Sequence, residues 1–210
     1  MSIVTIRGQL ASGATEIGKL VADKLHIDYV DREIIAQVAE RVHWPERDIA
    51  AKEMPTGSLI GRIAEALGQG YAAGGYYPGA YVTAWEIPLN DTQYLAGLES
   101  VIKELASCQS IVIRGRGSQF ILKDYPGVFH ALIVAPLEVR LKRVMDSLKV
   151  NKEAAKKEIE RSDSRRREFT KRYFQAELED PVYYDIVINT QHFSYEAATS
   201  IIVNALSFKA

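Results

Sequence analysis

The chain has 210 residues, 47% of them hydrophobic and 25% charged, the balance of a globular protein with one sizeable core. A formal net charge of −1 argues against a general nucleic-acid binder, and no apolar run approaches the roughly 18 residues of a membrane span. Cys108 is the only cysteine, so an intrachain disulfide and a cysteine metal cluster are excluded. It reads as a small packed side chain beside a strand. Arg7 and Gln9 interrupt the start, so no signal peptide is expected and a cytoplasmic location is the default.

Ile3-Val4-Thr5-Ile6-Arg7 alternates and is rich in β-branched residues, the pattern of a short buried strand. Ile17, Leu20, Val21 and Leu25 then fall on one stripe of a helix over 15–25. In the turn between them, Gly8, Gly13 and Thr15 fit G-x-x-x-x-G-K-[ST], with Ala14 in the place of the lysine. The small residues Ala11, Ser12, Gly13 and Ala14 let backbone N–H groups converge on an anion, and the helix start adds its positive dipole end. Gly8, Ala11, Ser12, Gly13, Ala14 and Thr15 are therefore the candidate phosphate-binding positions. The Thr15 hydroxyl is a candidate ligand for a phosphate-bound Mg²⁺. The missing ammonium must be replaced from elsewhere in the chain, or the chemistry is lost. A tight strand-to-helix turn without a ligand is the alternative.

Residues 27–30 read as a second strand, and Asp31 caps a helix running through Ile34, Ile35, Val38 and Val42. Residues 46–70 read as helical pieces broken by Pro55, Gly57 and Gly68. Residues 70–90 hold four glycines, four tyrosines, one tryptophan and two prolines, which do not make a regular element. They suit either a flap over a substrate or a surface that meets another subunit, and a homodimer is one outcome. A helix is expected from 90 or 91 to Ala106, then a strand over 110–114 leading into Gly115-Arg116-Gly117 and a short helix ending near Leu122. Val128 to Val134 is another strand, with Pro136 at a helix start. Helices over 137–150 and 152–175, a strand over 185–189 and a helix over 194–206 complete the chain.

Five strands alternating with helices predict an α/β fold, a parallel sheet with helices on both faces. Ligands then sit at the carboxyl ends of the strands, where the phosphate loop, Asp31, Arg116 and Asn189 share one edge. Charge is unevenly spread. Residues 138–172 hold 13 Lys/Arg against 7 Asp/Glu, so this segment is built to meet anions.

Arg116, between two glycines after a buried strand, is the leading candidate to hold an acceptor phosphate. A surface salt bridge is its alternative. Arg161 and Arg165 share one helical face while Arg166 and Arg167 point elsewhere, so they do not all reach one phosphate. Arg rather than Lys here favours bidentate phosphate contacts. Asp31 suits a water-bridged Mg²⁺ or a substrate proton, and equally a plain N-cap. Arg32 suits the acceptor phosphate or a surface pair. Arg140 and Arg143 suit support of the frame. His26, His43, His130 and His192 show no metal-ligand spacing and read as structural.

In this order, the segments resemble the cytidylate kinase-like family of P-loop nucleoside monophosphate kinases. The landmarks are Ser12-Gly13 with Glu16-Ile17-Gly18, Tyr29-Val30-Asp31-Arg32-Glu33, Arg114-Gly115-Arg116-Gly117 and Ala135-Pro136-Leu137-Glu138-Val139-Arg140. The basic run from Glu160 and the closing Tyr184 to Thr190 complete them. The resemblance implies one three-layer P-loop domain over 1–210, with a substrate-binding insertion at 45–95 and a lid-like basic helical segment at 151–175. It implies transfer of the γ-phosphate of ATP, with Mg²⁺, to a nucleoside monophosphate. It also implies that Arg116 clamps the acceptor's phosphate and that Arg161 and Arg166 serve catalysis as lid arginines, while Asp31 and Arg32 stay as the further catalytic and substrate candidates. Arg166 fits the family's Asp-x-x-Arg spacing, counted from Asp163. Many members of this branch lack the loop lysine and carry Gly-Ser-Gly-Gly-Arg there. Here the matching residues are Ala11 to Thr15, so that arginine is absent too, and Arg114 stands where an acid is usual. A non-catalytic nucleotide-binding regulator and a kinase of another small hydroxyl substrate are the competing functions.

Overall fold

The computed structural model describes residues 2–31 and 92–209. Arg32, the helix expected after Asp31, the pieces over 46–70 and the aromatic stretch 70–90 lie outside the described residues. Two compact units divide the chain: Met1–Tyr29 with Ser110–Ala210, and Val30–Gln109.

The sheet runs β2-β3-β1-β4-β5, all parallel, from β1 (Ile3–Gly8), β2 (Asp28–Val30), β3 (Ile111–Arg114), β4 (Val128–Val134) and β5 (Ile186–Asn189). Helix α1 is Ala14–Leu25 and α2 is Thr92–Cys108. They are followed by α3 (Ser118–Ile121), α4 (Leu137–Leu148), α5 (Lys152–Phe174) and α6 (Tyr195–Leu206). These boundaries fall within a few residues of those read from periodicity, because the strands are apolar runs and the helices carry clear stripes and caps. Asn151 caps α5 by accepting from the Ala154 N–H at 2.9 Å, and Ser194 caps α6 by accepting from Ala197 N–H at 3.2 Å.

Alternation along the strands splits the core. Val4, Ile6, Val112, Phe129, Ala131, Ile133 and Ile188 pack with Ile17 and Val21 of α1 and Ala198 and Ile202 of α6. Each fully buried aliphatic in this set contributes about 1.5–3 kcal/mol by burial. The alternate residues Ile3, Ile111, Ile113, Val128 and Leu132 are buried as well, so the central strands are covered on both faces, as a parallel sheet requires. Register then fixes which strand ends meet. Ile6 lies beside Arg114 and Gly8 beside Ile133, which brings the ends of β1, β3 and β4 to one edge.

In the second unit, α2 buries Leu98, Val101, Ile102, Leu105 and Ala106. Cys108, expected to be packed, is exposed. It is the last residue of the helix, beyond the final buried pair, where the packing has run out. Among the described residues no helix is long and apolar enough to cross a membrane.

His130 is buried on β4, with Nδ1 2.7 Å from Thr5 Oγ1. Burial drives its pKa down to about 4; Asp185 opposes the shift and Lys209 adds to it. Between about pH 6.5 and 4 the unfolded chain therefore binds a proton that the folded chain refuses. Stability is complete above that window and falls as pH drops through it, by about 3 kcal/mol. Urea midpoints measured from pH 7 to 4.5 are expected to fall less steeply in His130→Gln than in the parent. Identical slopes would remove His130 as the cause.

Candidate functional site

The loop after β1 is shaped by contacts that exclude larger side chains. A Cβ on Gly8 would sit 2.4 Å from the Ala14 Cβ and 2.6 Å from Ser12 Oγ. Gln9 N–H donates to Ile133 O at 3.3 Å, and Ser12 N–H to Gln9 O at 3.1 Å, folding the chain back on itself. Gly13 has φ +93°, and a Cβ there would meet the Tyr195 ring at 2.3 Å, so conformation and space both demand glycine. Gly13 is also the N-cap of α1 and provides no side-chain cap. The first N–H groups of α1, at 14–16, are therefore left for an outside acceptor, at the positive end of the helix dipole.

Guanidinium groups from separate elements gather at this loop. Arg114, the last residue of β3, donates from Nη2 and Nε to Thr15 Oγ1 at 2.6 and 3.0 Å. Arg7, next to last in β1, extends Nη1 to 3.9 Å from where a Gly115 Cβ would sit. Arg166 of α5 is only 12% exposed in its side chain, with Nη1 3.5 Å from Asp163 Oδ1. Its buried Nε and Nη1 have no hydrogen-bond acceptor. Burial, followed by repulsion from Arg7, holds its pKa down at about 9; Asp163 opposes this, while Arg114 and Arg140 add to it. The group is still charged at neutral pH. A narrow cleft joins Arg7, Gly8, Gln9, Asp163, Arg166 and Glu179. Crowded positive charge, unmet N–H donors and an uncapped helix start all ask for the same thing, an anion with several oxygens.

A buried frame holds the loop. Asp163 Oδ2 accepts from Arg140 Nη1 at 2.6 Å, and Oδ1 accepts from the Leu10 N–H of the loop at 3.3 Å. Arg140 Nε donates to Ala135 O at 3.1 Å. Arg143 donates to Ala11 O at 3.0 Å and to Thr190 Oγ1 at 2.9 Å, and Thr190 Oγ1 donates to Ser12 O at 2.7 Å. Leu10 and Ala11 pack against Leu141 and Val144 of α4 and Ala155 and Ile159 of α5. The basic segment expected as a lid is thus one helix fastened to the loop along its first half. At its far end, Phe174 lies so close to Gly117 that a Cβ there would be 2.4 Å from the ring.

Gly8 and Ala11 to Thr15 form the loop itself, and Arg166 joins it from α5. Arg116 is half-buried in a run of three left-handed residues, Gly115, Arg116 and Gly117, at φ +81°, +56° and +71°. Arg161 is not brought to the loop: it is exposed and pairs with Glu158 at 2.7 Å. Arg165 and Arg167 are exposed too. Asp31 directly follows β2 and belongs to the other unit. Arg7 and Arg114 stand at the site although they are not among the candidate positions read from the sequence. Their signal in the sequence is a charge at the carboxyl end of a buried apolar strand just before a glycine.

The Thr15 hydroxyl, expected to meet a phosphate-bound Mg²⁺, accepts from Arg114 Nη2 and Nε, which crowd the lone-pair side that a metal would use. Among the described residues no group of three His, Cys, Asp or Glu is placed to hold a metal.

Removing Asp163 strands two buried guanidiniums. Asp163→Ala is expected to lose about 3–5 kcal/mol in urea unfolding. Arg161→Ala, at an exposed pair, is expected to change stability by less than about 1 kcal/mol. Similar losses in both would show that the frame is not centred on Asp163.

Comparison with known proteins bears on what such a loop could hold. A model of the cytidylate kinase-like family matches residues 3–192. A cytidylate kinase from Fervidobacterium nodosum is 27% identical over 153 residues, covering 70% of this chain and 69% of that protein. Across the curated relatives it matches, the chain spans from 19% to 69% of their own length. A structure of an uncharacterized protein from Eubacterium ventriosum superposes with a TM-score of 0.71 at 20% identity, covering 99% of both chains. A shikimate kinase from Bacteroides thetaiotaomicron gives 0.52 at 13% identity, covering 98% of both. At these identities the structural likenesses bear on fold alone, and the fold is that of P-loop kinases.

Proposed function

The chain belongs to the cytidylate kinase-like family, and on that premise we propose that it moves the γ-phosphoryl group of ATP to a nucleoside monophosphate. One observation carries the reading: Arg7, Arg114 and Arg166, from β1, β3 and α5, gather at the uncapped phosphate-loop helix and the cleft beside it, and Arg166 keeps buried N–H groups without acceptors there although Asp163 and Glu179 line the same cleft. In the reaction, an acceptor phosphate oxygen attacks Pγ while the bond from Pγ to the β–γ bridging oxygen breaks, giving ADP and a nucleoside diphosphate. The loop amides hold the donor phosphates in place. Arg166 and Arg7 neutralise charge that builds on the nonbridging oxygens. They stand ready in the cleft, so little reorganisation is needed when that charge develops. Arg116, held by its two glycines, takes the acceptor's phosphate. A cytoplasmic setting, with ATP at hand, goes with this reading.

Two other readings have particular support. Ala14 in the lysine's place favours a regulator that binds nucleotide without turnover. The P-loop kinase fold also serves acceptors that are not nucleotides.

A coupled assay of ADP release separates them. Turnover is expected with at least one nucleoside monophosphate from a panel that also contains shikimate and simple sugars. Nucleotide binding with no turnover on any acceptor would leave the regulator standing. With the active acceptor, Arg166→Ala is expected to lower kcat by about 10²–10³-fold, the cost of removing one preorganised donor. Arg116→Ala is expected to raise the KM for acceptor more than the KM for ATP; equal rises would remove it from the acceptor side.

A further inference from the structure

Resting on the reading of the loop as a polyphosphate cradle, we propose that the Arg114 guanidinium occupies the place of a divalent cation at Thr15, so that polyphosphate binds here without Mg²⁺. In a phosphate loop, the hydroxyl at this position is a ligand of the Mg²⁺ that bridges β- and γ-oxygens. Mg²⁺ demands near-octahedral oxygen ligands at about 2.0–2.1 Å, each giving a lone pair. A threonine hydroxyl has two lone pairs and one O–H. Arg114 closes on the lone-pair side with a fork, Nη2 at 2.6 Å and Nε at 3.0 Å. The Thr15 O–H is then the part still available, and it is a donor. An oxygen that would hold a metal has become a hydrogen-bond donor for a phosphate oxygen, with a fixed cation behind it.

Topology places the group there. Parallel pairing sets Arg114 beside Ile6, at the level where β1 runs into the loop. The Gly115 N–H then donates to Ile6 O at 3.2 Å and the chain turns away at φ +81°. The guanidinium thus bridges 99 residues of sequence to reach Thr15. Its surroundings are those of an anion site. Arg7, Arg114 and Arg140 all repel the charge on Arg166, and Asp163 already accepts from Arg140 and Leu10. A divalent ion would add two positive charges to that crowd, whereas a polyphosphate relieves it. A guanidinium also meets phosphate with paired, directional N–H donors, which a bare lysine ammonium does not.

The test is calorimetric titration of the intact protein with ADP and with ATP, once in EDTA and once in excess Mg²⁺. Wild-type Kd is expected to differ by less than about threefold between the two buffers. Arg114→Asp, which frees the Thr15 oxygen and adds a carboxylate, is expected to lose at least about tenfold in EDTA and to recover with Mg²⁺. Arg114→Gln keeps a donor without the charge and is expected to weaken binding in both buffers. A wild-type Kd more than about threefold weaker in EDTA overturns the inference and leaves the cradle standing. Arg114→Gln binding as tightly as wild type in EDTA does the same. No binding in either buffer overturns the inference and the cradle together.

Discussion

Asp163 accepts from Arg140 of α4 and from the Leu10 amide of the loop, and stands 3.5 Å from Arg166 within its own helix. Through this carboxylate the basic helix is fastened to the loop it serves. Isolated buried ion pairs are weak sources of stability, since desolvation offsets much of the attraction. What this one does is fix position. It sets the height of α5 against the loop, and so decides that Arg166, rather than a neighbour on the helix, reaches the cleft. Arg161, Arg165 and Arg167 fall on the exposed side of the same helix for the same reason.

The charge balance of the site is incomplete by design of the fold. Buried guanidiniums are normally met by carboxylates or carbonyls. Arg140 and Arg143 are: they bond Asp163, Ala135 O, Ala11 O and Thr190, and they belong to the frame. Arg166 keeps two buried nitrogens without acceptors, and its proton affinity is lowered by burial and by Arg7. The same chemistry thus appears in two roles. Satisfied arginines hold the loop, and Arg166 keeps N–H groups without acceptors in the cleft beside it. The missing lysine is part of the same pattern, because the loop draws its positive charge from strand ends and from α5 rather than from its own side chains.

Glycine matters at the two places where backbone and packing conflict with any side chain. Gly13 must be left-handed while the Tyr195 ring lies against it, and Gly117 must be left-handed while Phe174 lies against it. The first contact ties α6 to the loop, and the second ties the end of α5 to the turn that carries Arg116. Phe120, Phe174 and Tyr183 continue this second contact, with ring centroids 4.9 and 5.0 Å from Phe120. Both contacts join elements far apart in sequence at the carboxyl edge of the sheet.

The amino-acid sequence alone determined the strands, the helices and the loop, because these follow from local regularities. Alternation in Ile3 to Ile6, the stripe Ile17, Val21, Leu25 and the cap at Asn151 need no distant partner to be read. The phosphate loop was legible through its glycine spacing even with Ala14 in it. The spacing from Asp163 singles out Arg166, but nothing local separates it from Arg161, which only the packing of α5 on the loop leaves exposed. Cys108 is exposed although its local sequence reads as packed, because helix ends and the limits of packing are not local properties. Arg7 and Arg114 were passed over because their role depends on parallel register: Arg114 reaches Thr15 only once β3 lies beside β1. Local pattern fixes what each segment becomes. Which charges then share one small volume depends on contacts between residues some hundred positions apart, and no window along the chain contains that information.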